Sequence, residues 1–102
     1  MIGNDRLYLA VRALATAEGD VRKRVCLAMN IIEPIRRIEF SKRPDLWSRL
    51  DKLKQETSSK GPQIINGKVL KDAYHHTYIN RPNKTYKKYA EEIMGIWFET
   101  CE

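Results

Sequence analysis

The stretch TYKKYAEEIMGIWFET, residues 85–100, decides how this chain folds. Tyr86, Tyr89, Ala90, Ile93, Ile96 and Trp97 recur at spacings of three and four, which places them on one face of an α-helix. Tyr86 and Tyr89 therefore read as core or core-edge residues and not as exposed stacking platforms. Ile93, Met94, Ile96, Trp97 and Phe98 crowd six positions of this helix and point in several directions. A helix apolar that far round is central to a bundle or covered by a second chain. Met94 and Phe98 are the residues expected at such a self- or partner-contact.

The same 3.6-residue period runs through most of the preceding sequence. Leu7, Ala10, Val11, Leu14 and Ala17 share a face, with Asn4 or Asp5 as N-cap. Gly19 closes that helix and Asp20 caps the next, whose apolar positions are Val21, Val25, Ala28, Met29 and Ile32. Pro34 breaks it, because proline lacks an amide donor and restricts Glu33 before it. A helix capped by Ser41 then presents Leu46, Trp47, Leu50 and Leu53 to the core. In IINGKV the Asn66-Gly67 pair suits a hairpin turn. Helical spacing of Val69, Leu70, Ala73, Tyr74, Thr77 and Tyr78 instead favours a turn that caps a helix. Asn80-Arg81-Pro82-Asn83 ends that helix before the last one starts. The expectation is an all-α fold, a single helical domain over residues 1–102, with about five helices, a kink or break at Pro34 and a loop around 55–66.

The chain's charge is unevenly placed. Residues 1–20 carry two basic and three acidic side chains, residues 21–90 carry 17 and 6, and the last twelve carry four glutamates and no base. A net charge of +6 thus hides a strongly positive middle between slightly acidic ends. Such a field favours an acidic protein surface or a nucleic acid as partner. Arg22, Lys23 and Arg24 start the second helix, and Lys84, Lys87 and Lys88 start the last. Both sets oppose the helix macrodipole, which prefers acids at an N-terminus. With Arg36 and Arg37 they form the expected basic partner-binding surface.

Catalytic and metal chemistry find little support. His75 and His76 are adjacent, so on a helix they diverge by about 100° and do not chelate one ion comfortably. No HExxH, CxxC, GxSxG or phosphate-cradling glycine loop is present. The expected catalytic residues, metal ligands and cofactors are therefore none. A site around His75, His76 and Tyr78 remains the weakest alternative. The spacing of Ala15, Gly19 and Val25 is that of a helix-turn-helix. Glu18 and Asp20 depart from it, standing where that motif packs apolar side chains.

Cys26 and Cys101 lie far apart in sequence, which fits two reduced thiols in a cytoplasmic protein. No apolar run approaches the ~20 residues of a membrane span, and Asp5 sits where a secretion leader is basic. The functional expectation is a small non-enzymatic protein-interaction module, such as an adaptor, inhibitor or accessory subunit, offering its basic surface to an acidic partner. A DNA- or RNA-binding domain using the same residues on phosphates is the alternative. A homodimer through the C-terminal helix is a further expectation, and no membrane partner is expected.

Overall fold

Helix α1, Asn4–Thr16, buries Leu7, Ala10 and Leu14, so its 3.6-residue pattern becomes one wall of the core. The chain then turns at Gly19, whose φ of 104° suits glycine. A Cβ there would lie 2.7 Å from Lys23 Cδ. Asp20 caps helix α2, Val21–Ile32, its Oδ1 accepting from the Lys23 N–H at 3.1 Å. That bond, helped by Arg22, holds the Asp20 carboxyl below the ordinary range. Val25, Cys26, Ala28, Met29 and Ile32 form the buried face of α2.

The structure is a computed structural model that describes residues 4–59, 61, 63–71, 74, 77 and 81–101. The expected break at Pro34 is present, since α2 stops at Ile32 and a 3-10 turn, Arg37–Phe40, follows. Helix α3, Pro44–Thr57, buries Leu46, Leu50, Leu53 and Thr57. Its cap differs from the expected Ser41, which instead closes the 3-10 turn. Arg43 occupies the N-cap without a side-chain cap bond, its guanidinium being turned to Asp45 at 3.0 Å. That pairing lowers the Asp45 carboxyl.

The main correction falls after α3. The loop expected around 55–66 is shorter, because α3 continues through Thr57 and strand β1, Gln63–Ile65, begins soon after. Strand β2, Lys68–Lys71, pairs with it antiparallel, Ile65 facing Lys68 and Ile64 facing Val69. Asn66 and Gly67 both have positive φ, 52° and 75°, as a two-residue primed turn requires. Turn chemistry thus prevails over helical spacing at residues 68–71. Tyr74 and Thr77 are helical and buried. His75, His76 and Tyr78 lie outside the described residues.

Helix α4, Asn83–Thr100, starts after Pro82 and buries Tyr86, Tyr89, Ile93 and Ile96 at the centre of the core. It runs antiparallel to α1, since Tyr8 near the start of α1 meets Trp97 near the end of α4, with ring centroids 6.2 Å apart. It also runs antiparallel to α3, for Arg49 reaches Glu92 while Ser59 accepts from Arg81 Nη2 at 2.8 Å. The described residues therefore hold four continuous α-helices, one 3-10 turn and a hairpin, with Tyr74 and Thr77 helical besides, a mostly helical fold close to the expected count of about five. Among them no helix is long and apolar enough to cross a membrane.

Candidate interaction surface

The expected basic residues do not lie together. Arg22 Nη1 donates to the Arg81 carbonyl at 3.1 Å and thereby brings the start of α2 beside the start of α4. Arg22 also pairs with Asp20 at 3.1 Å. Lys23, Lys84 and Lys87 are exposed on these two first turns. Lys88 instead lines a groove of about 320 Å³ against α3, with Arg49, Lys52, Glu56 and Glu92 around it. Arg36 and Arg37 sit beyond the far end of α2, roughly 18 Å away along its axis. There the Arg36 N–H donates to Glu39 Oε2 at 2.6 Å, and Arg37 borders a groove with Trp47 and Asp51.

Arg24 is turned inward. Its Nη1 donates to the Leu14 carbonyl at 3.1 Å, while its Nε is covered and has no hydrogen-bond partner. Position 24 follows Val21 by three and precedes Ala28 by four, so the helix carries it to the edge of its apolar face. There Arg24 lines a groove of about 280 Å³ whose other walls are Val11, Leu14, Ala15, Val21, Ala90 and Met94. One guanidinium stands in a surface that is otherwise apolar.

The groove continues as a strip along α1 and α4. Tyr8, Val11 and Ala15 recur at three and four on α1, as do Ala90, Met94, Trp97 and Phe98 on α4. Met94 is 41 % and Phe98 58 % exposed. Trp97 lies 5.2 Å from the Phe98 ring, and its Nε1 is covered without an acceptor. Among the described residues three buried side-chain polar atoms lack a partner; Arg24 Nε and Trp97 Nε1 border this strip, and the third is the Tyr86 hydroxyl. Sequence reasoning assigned Arg24 to an exposed triplet. The signal that locates it was its spacing from Val21 and Ala28.

The opposite side of α4 is built differently. Arg49 crosses it over Gly95, where a Cβ would lie 3.3 Å from Arg49 Nη2. Its Nε donates to Glu92 Oε1 at 2.8 Å, and Nη1 bonds Glu99. Glu92 hydrogen-bonding raises the Arg49 guanidinium pKa further, with Glu99 adding to it. Arg43 adds a 3.6 Å pair to Glu99. Glu92 is thus held by α3 and not by its helical neighbour Lys88. Away from α4, where α3 meets the segment after α2, Lys54 Nζ donates to the Glu33 and Ile35 carbonyls and lies 5.1 Å from the centroid of a Trp47 ring. Tyr74 donates its hydroxyl to Glu33.

Among the described residues no three His, Cys, Asp or Glu side chains gather as metal ligands would. Comparison with protein-family models, with curated proteins and with solved structures finds no match to this chain.

Proposed function

We propose that the protein is a non-enzymatic interaction module, an adaptor, inhibitor or accessory subunit, that receives an acidic partner on the α1–α4 strip. The observation that carries this reading is Arg24. Among the described residues it spends one of its donors, on the Leu14 carbonyl, and it stands in an apolar groove. An under-satisfied, half-buried guanidinium costs free energy that a carboxylate at the groove mouth offsets, and a bidentate arginine–carboxylate pair also fixes the partner's orientation. The matching ligand is an amphipathic helix with apolar side chains for the strip and a carboxylate beside them. Exposed Lys84 and Lys87 at the start of α4 add attraction at longer range.

The test is an anisotropy titration with a labelled amphipathic peptide of leucines and glutamates at helical spacing, against its lysine counterpart. The acidic peptide binds and the basic one does not. Ala15→Glu, an exposed helical position inside the groove, weakens binding at least about tenfold by adding a like charge and filling the space. Equal binding of both peptides, or no effect of Ala15→Glu, overturns the assignment.

A nucleic-acid reading draws on the convergence of Lys23, Lys84, Lys87, Arg22 and Arg81 at one end, where Glu18 and Asp20 also lie. It requires labelled duplex DNA or single-stranded RNA to bind with an affinity that collapses between about 50 and 200 mM salt. Absence of binding at the lower salt removes it.

A further inference from the structure

We infer that the occupant of the α1–α4 strip is a second copy of this chain, docked through α4 in antiparallel sense about a two-fold axis at Met94. The inference rests on the strip being a docking surface, and three features of α4 select the partner.

The first is charge. Helix α4 has no acidic residue in its first turn and no basic residue in its last. Its first half carries Lys84, Lys87 and Lys88, and its second half begins with Glu91 and Glu92 and ends near Glu99. Each terminus therefore faces its own macrodipole with the wrong sign or none. An antiparallel copy corrects both ends together. It lays Lys87 beside the partner's last turn and Lys84 just past its end, where the final carbonyls lack intrahelical donors, while Glu92 and Glu99 stay with Arg49 on the opposite side and take no part in the contact.

The second is shape. Phe98 projects from α4 four residues after Met94, and small Ala90 lines the groove four residues before it. A two-fold axis at Met94 sets each Phe98 over the other copy's Ala90, a large side chain over a small one at both ends of the contact. The third is topology. Because α1 lies antiparallel to α4 and carries Tyr8, Val11 and Ala15 beside it, the pair of copies forms a four-helix layer, with α1 and α4 of each copy facing those of the other. Exposed Met94, Phe98 and Tyr8 are covered in one step.

The experiment is sedimentation equilibrium across a concentration series, with the labelled acidic peptide titrated in parallel. The species at high concentration has twice the 12.0 kDa chain mass. Phe98→Asp weakens the dimer at least about tenfold with an unchanged circular-dichroism spectrum. Lys84→Glu weakens the dimer several-fold, yet it raises the thermal stability of the dilute monomer, since an acid suits the start of its own helix. That opposition of sign separates docking from a folding defect. In a Cys101→Ser background, Met94→Cys joins the copies by a disulfide under mild oxidation. The native thiols at position 101 do not join, because the antiparallel register holds them about 21 Å apart along the helices.

A monomer at every concentration that still binds the acidic peptide overturns the dimer and leaves the docking strip standing. A monomer that binds no peptide removes both. A dimer indifferent to Phe98→Asp, or one that crosslinks through Cys101, overturns the geometry.

Discussion

The two flanks of helix α4 are built on opposite plans. Toward α3, Arg49 lies over Gly95 between Glu92 and Glu99, and each charge meets its opposite within the chain. Toward α1, the flank is apolar and open, Met94 and Phe98 stand exposed, and Arg24 Nε and Trp97 Nε1 are covered without acceptors. One flank is complete and the other is not. The difference teaches that much of the charge on a small basic protein can be spent inside the chain, and that an open apolar flank can lie apart from it. On the α3 side of α4 Arg49 is matched by Glu92 and Glu99, while the open side bears few charges.

The comparison is broken most forcefully from the core between the two flanks. Ile93→Ala, at a fully buried position, costs about 2–5 kcal/mol, whereas Met94→Ala one residue on costs less than about 0.5 kcal/mol in the dilute protein. Urea unfolding of both variants checks this, and equal losses would show that the α1 flank is packed by the chain itself. Next in size is Arg49→Ala, which leaves Glu92 and Glu99 facing each other across Gly95. Its expected cost is about 1–2 kcal/mol, discounted because the side chain is partly solvated, and it shrinks as salt is added. A cost independent of salt would mean that packing on Gly95, and not charge, holds that flank together.

The smallest effect has the opposite sign. Tyr86 is buried with its hydroxyl unpartnered, and burial pushes its phenol well above the ordinary value. Tyr86→Phe removes an unsatisfied group and raises stability by up to about 1 kcal/mol, seen as a few degrees in Tm. The raised phenol also has a pH signature. The folded state favours the neutral form, so its contribution is fully present below the unfolded value near 10 and is lost as pH rises beyond it. The variant's thermal stability declines less between pH 9 and 12 than that of the parent, on the order of the loss tied to this one group. A decline of equal steepness would place the hydroxyl in water.

The helical frame was legible because local signals and burial agree there. Gly19 and Asp20 end one helix and cap the next, Pro34 follows the last turn of α2, and the apolar period of α1, α2 and α4 marks the residues that are buried. At residues 68–71 two local signals conflict, since Val69 and Leu70 fit a helix running to Tyr74 as well as a strand. The primed turn at Asn66-Gly67 decides, because both residues accept positive φ at little cost and so close a hairpin directly. The α1–α4 strip was half legible. Met94 and Phe98 emerged from the crowding of apolar residues on one helix, whereas Arg24 was hidden in the triplet Arg22-Lys23-Arg24, where charge masks periodicity. The Arg49 clamp was not legible at all. Its partners lie 43 and 50 residues away, beyond the reach of any local spacing rule.

The two thiols give this chain an internal clock. Cys101 is exposed at the end of α4, whereas Cys26 is 8 % exposed on the inner face of α2, with the Asn30 amide 3.8 Å from its sulfur. An alkylating reagent added to the native protein therefore modifies position 101 at once. It reaches position 26 only in molecules whose helix packing has opened. The delay between the first and second adduct, read by mass spectrometry, times the breathing of the core without any engineered label.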